Sequence, residues 1–325
     1  MADKINTEKI ARENIFHKSE EYEGLSIKGY DLNNGLNYNK LLDNYLTSGA
    51  QATNFGKAIE IIKKMRKEKA FIYLGYTSNM VTTGNREFIR YLTEHKLIDY
   101  LVTSAGGIEE DFIKCFGDFK LGKFNLNGNE LRDAGLNRAG NILIPNSRYC
   151  KFEEFVMPIL EKYYNKIKTP FDLIKLLGRE INNKESIYYW AYKNNIPVHC
   201  PAIMDGSLGD MIYFYKFKNK DFEMDLVKDT FDLNNSTIGK KKTGIILLGG
   251  GAVKHCICNA NMYRNGADYA VYINTGQEFD ASDSGARPDE AVSWGKIGKK
   301  AESVKVYCDA TIVFPLIVAK CFVKD

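Results

Sequence analysis

The sequence predicts an α/β fold in which a doubly wound, mostly parallel sheet carries helices on both faces. Two observations support this prediction. Short apolar runs alternate with amphipathic helical stretches between residues 70 and 310, and each apolar run ends in Gly, Ser, Thr, Asn, Cys or Asp residues. Strands that alternate with helices in this way form parallel sheets. The 325 residues, of which 44% are hydrophobic and 26% charged, suffice for one large core and argue against disorder.

The predicted elements follow one another in a regular order. Residues 1–50 are polar and lack a strong period, which predicts an N-terminal helical arm rather than a separate core. Apolar residues near one face predict a helix from Phe55 to Lys67, and a second helical pattern covers Ala252 to Asn265. Residues 51–325 contain no convincing linker and form one predicted catalytic domain. Its strands are predicted at Ala70–Leu74, Tyr100–Val102, Ile196–His199, Gly244–Leu248, Tyr269–Ile273 and Val304–Tyr307.

Composition and charge exclude several classes of protein. The 45 Lys and Arg residues and 41 Asp and Glu residues leave a charge of +4, too small an excess for a nucleic-acid binder. No apolar run approaches the roughly 20 residues of a membrane helix, and the N-terminus lacks the apolar core of a secretion signal. The seven scattered cysteines suit free thiols in a reducing cytoplasm. Because His255, Cys256 and Cys258 match no standard zinc spacing, no metal site is predicted.

Two glycine-containing segments follow predicted strands. The run Gly249–Gly251 precedes a helix, and such a turn either cradles a phosphate at the carboxyl end of a Rossmann-like sheet or is simply tight. Residues 104–107 repeat the pattern and precede the acidic residues Glu109, Glu110 and Asp111. These acids either stabilise the first turns of a helix through its dipole or form a carboxylate pair that faces a cation.

The connection from Thr275 to Lys296 is long and shows little helical or strand pattern, and such connections are usually functional or disordered. It contains five acidic residues and ends on Trp294 and Lys296. Carboxylates pair with ammonium groups and an indole face adds cation–π attraction, so the segment is a candidate polyamine pocket. A solvated acidic loop with a packed Trp is the commoner outcome. Lys296 is a candidate imine-forming nucleophile and His255 a candidate general base, although most such residues are surface groups.

Four segments resemble the signature of the deoxyhypusine synthase family. The segments are SAGGIEED at residues 104–111, DGSLGD at 205–210, GGGAVKH at 249–255 and NTGQEFDASDSGARPDEAVSWGK at 274–296. The last of these is far more specific than any glycine motif. With the sequence around the segments, the resemblance runs from about residue 29 to residue 318 and covers nearly the whole chain.

The resemblance implies an NAD-dependent transferase with a Rossmann-like NAD-binding domain over residues 51–325. In this family NAD oxidises spermidine, an enzyme lysine takes the 4-aminobutyl group as an imine, and 1,3-diaminopropane leaves. The group passes to one lysine of the translation initiation factor 5A precursor and is reduced to deoxyhypusine, the first step of hypusine formation. The family also implies a cytoplasmic homotetramer, a dimer of dimers with shared active sites, whose N-terminal arm can cover a neighbour's entrance.

The resemblance also implies roles for individual residues. Lys296 matches the imine-forming lysine, His255 matches the histidine that transfers a proton, and Glu110 joins them as a catalytic residue. The residues implied to hold spermidine are Glu109, Glu110, Asp210, His255, Asn259, Ala281, Ser282, Asp283, Ser284, Glu290, Trp294 and Lys296. The residues implied to line NAD are Ser78, Asn79, Met80, Val81, Thr82, Ser104, Ala105, Gly106, Glu110, Asp205, Gly250, Thr275, Gly276, Asp309 and Ala310.

Two departures from the family pattern and three alternative functions remain. The pattern has a histidine where Cys256 stands and a glycine where Ala281 stands; the first change removes a proton-relay option and the second adds a methyl group. Homospermidine synthase, which uses putrescine as acceptor, shares the donor chemistry and is barely separable by sequence. A non-catalytic regulatory subunit would bind NAD without turnover, but Lys296 and the acidic residues argue against it. The fold alone would also suit an NAD-dependent protein deacylase.

Overall fold

The computed structural model describes residues 6–323, so residues 1–5 of the predicted arm and residues 324–325 of the predicted domain lie outside it. Across this range no helix has the length and apolar character that crossing a membrane requires. The α-helices are α1 Thr7–Ile15, α2 Tyr38–Asp43, α3 Ala50–Lys67, α4 Asn79–Thr82, α5 Arg86–Glu94, α6 Ala105–Cys115, α7 Gly128–Asp133, α8 Asn146–Tyr163, α9 Pro170–Glu180, α10 Ile187–Asn194, α11 Ser207–Lys218, α12 Leu226–Thr237, α13 Gly251–Met262, α14 Pro288–Ser293 and α15 Ala310–Phe322. The strands are β1 Phe71–Tyr76, β2 Tyr100–Thr103, β3 Lys120–Leu121, β4 Leu136–Ala139, β5 Ile142–Pro145, β6 Val198–His199, β7 Thr243–Leu248, β8 Ala267–Asn274 and β9 Ile297–Tyr307.

The main sheet has six parallel strands in the order β6-β2-β1-β7-β8-β9. All six predicted strands are present, which confirms the predicted parallel sheet. If these six strands are numbered in sequence order, their spatial order is 3-2-1-4-5-6. The chain adds strands on one side of β1 as far as β6 and on the other side from β7 onward, so the order reverses between β1 and β7. A crevice for ligands opens at the carboxyl ends of strands where such a reversal occurs.

Helices cover both faces of the main sheet, as the side chains of strand β7 show. On β7, Ile245 and Leu247 pack with Val253 and Ile257 of α13, whereas the alternate residues pack into the larger core with α3, α6 and α15. Successive side chains of a strand point to opposite faces, so a strand buried on both faces reads as a continuous apolar run. This burial explains why the strands could be recognised as short apolar runs in the sequence.

A buried ion pair fixes α6 against its neighbours. Arg86 of α5 donates through Nε to Oδ1 of Asp111, 2.7 Å away, and both side chains are almost completely buried. The other oxygen of Asp111 accepts from the hydroxyl of Ser186 at 2.6 Å, and Oδ1 also accepts from the backbone N–H of Ile187. Asp111 therefore joins α5, α6 and the start of α10, and its role is structural, unlike that of the two acids before it.

A small antiparallel sheet, in the order β3-β5-β4, was not predicted from the sequence. It is largely exposed, and β4 and β5 form a hairpin whose two linking residues are Gly140 and Asn141. Gly140 has a φ of +60°, a conformation that favours glycine. A Gly-Asn pair between short apolar runs is a hairpin signal, so this pair was the available clue.

The N-terminal arm consists of α1 and α2 with short 3-10 turns, in agreement with the predicted short helices. No residue of α1 is buried, and Leu42 is the one buried side chain of α2. Asp43 connects the end of the arm to the domain, because it pairs with Lys63 of α3 and Lys320 of α15. The boundary at residue 50 stays a prediction.

We expect the Asp111→Ala substitution to lower the free energy of unfolding by about 3–5 kcal/mol, because it leaves the Arg86 guanidinium buried without its partner. Urea unfolding at a fixed protein concentration measures this effect. Asp118→Ala is the matched control, since Asp118 forms an exposed pair with Lys120 and should change stability by less than about 1 kcal/mol. Equal losses for the two variants would show that the buried pair does not anchor α6.

Candidate active site

The first group of predicted site residues lies at the start of α6. Glu109 is buried, and its Oε2 accepts a hydrogen bond from the backbone N–H of Leu208 in α11, 2.8 Å away. Burial raises the pKa of Glu109, with further contributions from the nearby carboxylates of Asp210 and Asp205. A Cβ at Gly206 would lie 2.7 Å from the Glu109 carboxylate, so that position has no room for a side chain.

Glu110 points toward α4 instead. The hydroxyl of Thr82 donates to its Oε2, and Lys114, one turn further along α6, donates to the backbone carbonyls of Val81 and Thr83. Burial raises the pKa of Glu110 to about 7, and the neighbouring Glu109 adds to the effect. Glu110 is therefore close to half protonated at neutral pH, which suits a group that gives and takes a proton.

The second group lies on α13 and on residues 275–287, which we call the acid loop. His255 faces Asp283, with 3.5 Å between Nδ1 and Oδ1, and the Asn259 amide lies 2.8 Å from Nε2 of the imidazole. Donation by Asn259 to Nε2 leaves the proton of the neutral ring on Nδ1, facing the carboxylate. The second oxygen of Asp283 is buried and has no hydrogen-bond partner. Ser284 accepts from the N–H of Gly251 at 2.8 Å and so ties the loop to α13.

Lys296 lies at the amino end of β9, not at the carboxyl edge of the sheet. Its carbonyl accepts from the N–H of Ala267, 3.1 Å away, at the start of β8. The side chain is buried, and its Nζ lies 5.5 Å from the ring centre of Trp294, which is 64% exposed. The chain thus returns from the carboxyl edge, through Pro288–Ser293, to Lys296 at the amino end of β9. The expectation of little regular structure between Thr275 and Lys296 is wrong for Pro288–Ser293, which form α14.

The predicted cofactor residues come after the carboxyl ends of all six strands of the main sheet. Residues 78–82 follow β1, residues 104–106 follow β2, Asp205 follows β6, Gly250 follows β7, residues 275–276 follow β8 and residues 309–310 follow β9. A Cβ at Gly106 would lie 2.8 Å from Cβ of Ser78, and one at Gly250 would lie 2.7 Å from Ser284, so the backbones approach closely. The Ser104 hydroxyl is buried without a partner, and it does not cap the first N–H groups of α6. At α13 the N–H of Gly251 is already taken by Ser284. The N–H donors at the start of α6 suit a phosphate group.

The remaining predicted residues differ in burial. Met80, Val81, Thr82, Ala105 and Ala310 are buried. Asp309 already caps α15 by accepting from the N–H of Thr311 at 2.9 Å, and Gly276 donates to Asn274. The exposed members of the predicted sets are Asn79, Asp205, Asp210, His255, Thr275, Ala281, Ser282, Glu290, Trp294 and Asp309.

The structure brings these residues into two groups rather than one. Within residues 6–323, no hydrogen bond or ion pair connects Glu109 or Glu110 to Lys296, His255 or Asp283. No cluster of three or more His, Cys, Asp or Glu side chains in the same part of the chain could hold a metal ion. Sequence reasoning missed Lys254, a buried lysine next to His255, whose signal was a lysine on the inward face of α13.

Comparisons with known proteins agree on one family. A family model described as deoxyhypusine synthase matches residues 40–321. A deoxyhypusine synthase from Senecio vernalis is 51% identical over 342 residues, which cover 95% of this chain and 92% of that protein. Homospermidine synthase 1 from the same organism is 50% identical over 346 residues, which cover 96% of this chain and 94% of that protein. A crystal structure from Entamoeba histolytica, provisionally assigned as a deoxyhypusine synthase, is 38% identical, with a TM-score of 0.68 over 91% of this chain and 96% of that one.

We expect Glu110→Gln to stabilise the protein increasingly as the pH rises from 5 to 8. The folded-state pKa of Glu110 is about 7, above its ordinary value of 4.5, so its ionisation at higher pH costs stability that glutamine does not lose. The difference should approach about 3 kcal/mol at most at pH 8 and nearly vanish at pH 4.5. Thermal unfolding across this pH range measures it. The same substitution at the exposed Glu60 is the control, and a pH-independent gain at Glu110 would contradict the assigned pKa.

Ala281 has a φ of +59°, a left-handed conformation that glycine adopts without a steric penalty. We therefore expect Ala281→Gly to raise the free energy of unfolding by about 1 kcal/mol, because it removes the clash of Cβ with the backbone. Ala134→Gly is a control of opposite sign, since Ala134 is exposed and has a φ of −80°. Chemical denaturation of both variants compares the two effects; destabilisation by both would show that Ala281 is not strained.

Proposed function

The chain belongs to the deoxyhypusine synthase family and is a transferase, and from that premise we propose how its residues carry out the reaction. The family predicted from the sequence is confirmed. We propose that the donor is spermidine and that the acceptor is one lysine of the translation initiation factor 5A precursor. The observation that carries this proposal is the buried, unpartnered oxygen of Asp283, which the acid loop presents beside His255.

The donor site suits a linear polycation. Asp283 keeps one carboxylate oxygen without a partner, Glu290 is exposed in the first turn of α14, and Trp294 presents an exposed indole face. A carboxylate oxygen that is buried without a partner carries a desolvation cost, and an ammonium group removes that cost. The indole adds cation–π attraction to an amine beside Lys296. Burial lowers the pKa of Lys254, and the charges of Asp283, Glu290 and Lys296 also act on it, so these groups lie near one another.

We propose that NAD occupies the crevice between β1 and β7. The strand order of the main sheet is that of dinucleotide-binding folds, and the glycines Gly106 and Gly250 stand at the carboxyl ends of β2 and β7, beside that crevice. The unpartnered Ser104 hydroxyl and the uncapped N-terminus of α6 supply hydrogen-bond donors. When bound, NAD would accept hydride from the donor amine and return it to the product. Ser78, Asn79, Thr82, Asp205, Thr275, Asp309 and the residues beside them would hold it.

The roles of the reacting groups follow from their surroundings. Lys296 is buried and has no ion-pair partner among the described residues, so its amine is available to take the aminobutyl group as an imine and pass it on. His255, oriented by Asp283 and Asn259, would move the proton to and from the amines that leave and enter. Glu110, whose pKa is about 7, would accept a proton at the other group of residues.

The separation of the two groups supports sites that are shared between subunits, and we propose a homotetramer built as a dimer of dimers. Helix α11, which leads away from Asp210, carries the exposed aromatic side chains Tyr213, Phe214 and Phe217. Large exposed apolar patches mark contact surfaces. The arm of residues 1–50 exposes Ile15 and Phe16 and would cover a neighbour's entrance, while residues 51–325 form the NAD-binding domain.

A second candidate function differs from the first in the acceptor of the aminobutyl group. Homospermidine synthases share about the same identity with this chain as deoxyhypusine synthases do, so putrescine is an alternative acceptor. We also propose a place in the cytoplasm, without membrane or nucleic-acid partners; the seven free cysteines suit a reducing compartment. Borohydride trapping at Lys296 distinguishes both of these enzymes from a regulatory subunit that has no activity of its own.

Borohydride trapping tests the proposed function. We expect the protein incubated with NAD and spermidine, then reduced and digested, to carry an aminobutyl group on Lys296 by mass spectrometry. Lys296→Arg should abolish the label, whereas Lys299→Arg, at an exposed position three residues away, should retain it. Unmodified Lys296 in protein that binds NAD would instead support the regulatory-subunit alternative. Offering putrescine or the precursor protein to unreduced enzyme that has been incubated with NAD and spermidine then identifies the acceptor.

A further inference from the structure

Two lysines hold the acid loop by its backbone. Lys254 of α13 donates from Nζ to the carbonyls of Asp283 and of Ala286, the second at 3.0 Å. Lys305 of β9 donates to the carbonyls of Gly276, at 2.7 Å, and of Gly285. All four hydrogen bonds from these two ammonium groups therefore end on main-chain oxygens of one loop.

Neither lysine forms an ion pair, although carboxylates lie close by. Among the described residues, no carboxylate oxygen comes within 4 Å of Nζ of Lys254 or Lys305. Glu278 pairs with Arg287, and Asp283 turns its carboxylate toward His255 while its carbonyl meets Lys254. The two ammonium groups thus bind the backbone of the loop and not its carboxylates.

The contacts of Lys305 close the loop on itself. Gly276 and Gly285 belong to its two limbs, and a Cβ on Gly285 would lie only 1.6 Å from the carbonyl oxygen of Gln277. The limbs can approach this closely because Gly285 has no side chain, and Lys305 bridges them from β9. Lys254 is 2% exposed and its Nζ lies 4.8 Å from the ring centre of Tyr272. Burial lowers the pKa of Lys254, and the attraction of its ammonium to the aromatic face opposes that effect.

We propose that Lys254 and Lys305 are positioning residues, which fix the acid loop through its carbonyls and so leave its carboxylates available to the ammonium groups of the amine substrate. This inference rests on the proposed function, because it assigns the loop's carboxylates to an amine. If either lysine were paired with Asp283, the carboxylate would already be neutralised. Binding the carbonyl instead orients Asp283 and adds no competing partner to its unpartnered oxygen.

Lys305→Met tests the proposal, because Lys305 is only partly buried and its removal leaves the core intact. We expect the KM for spermidine to rise about tenfold, the effect of losing one net charged hydrogen bond. The kcat at saturating spermidine should stay within about twofold, and the NAD affinity should fall by less than about threefold, since the predicted NAD residues lie mainly outside the loop. Lys299→Met, at an exposed position of the same strand, is the matched control and should leave all three values unchanged.

Two further measurements separate positioning from general destabilisation. Hydrogen–deuterium exchange should become faster within residues 277–286 in Lys305→Met and remain unchanged in the β-strands. In an Asp283→Asn background, Lys305→Met should raise the KM for spermidine by less than about threefold, because the two substitutions act through the same carboxylate.

Equal losses of spermidine and NAD affinity, or a fall in kcat alone, would overturn the positioning role. A tenfold effect that persists in the Asp283→Asn background would do the same. Wild-type protein that binds NAD but no spermidine would instead overturn the proposed function, and the two failures are therefore distinguishable.

Discussion

The wholly buried carboxylate of Asp111 accepts hydrogen bonds from Arg86 of α5, from the hydroxyl of Ser186 and from the first N–H group of α10. Because α6 is held in this way, its rotation about its own axis is fixed. Consecutive residues of a helix point about 100° apart. Once Asp111 faces α5 and α10, Glu109 must face the start of α11 and Glu110 must face α4. One buried pair thus decides the surroundings of both acids, and with them the raised pKa values that distinguish them from exposed carboxylates.

Buried polar contacts also fix the acid loop, where the ammonium groups of Lys254 and Lys305 bind backbone carbonyls and form no ion pair with its carboxylates. A connection of this length without regular structure is usually mobile unless it is held. Here two ammonium groups bind its carbonyls, and α13 supplies an N–H group to Ser284. Charged hydrogen bonds to carbonyls are stronger than neutral ones, so a few of them replace the regular pairing that a strand or helix would provide. One oxygen of the Asp283 carboxylate keeps no partner as a result.

The sequence was sufficient for the sheet, since each strand is a short apolar run that ends in small or polar residues, and for the acid loop, since its residue types are unusual. It could not separate Asp111 from Glu109 and Glu110, because three adjacent acids look alike until the neighbours of α6 are known. It could not assign Lys254 or Lys305 either, since their partners are carbonyls, which every residue has. The helix α14 was missed because six residues are too few to show a period. These omissions all concern contacts between segments that are distant in the chain.

The position of Lys296 also follows from the path of the chain and not from the general rule for parallel sheets. That rule places ligands at the carboxyl ends of the strands, where the predicted cofactor residues indeed lie. Lys296 stands before β9, at the opposite edge of the sheet, where its carbonyl accepts from the N–H of Ala267. Its side chain nevertheless lies near the second group: burial lowers the pKa of Lys254, and the charges of Asp283, Glu290 and Lys296 also act on that buried ammonium. The chain reaches this position because α14 carries it from the acid loop back to the start of β9. A residue outside the carboxyl edge can therefore share the surroundings of the acid loop, which the general rule alone would not predict.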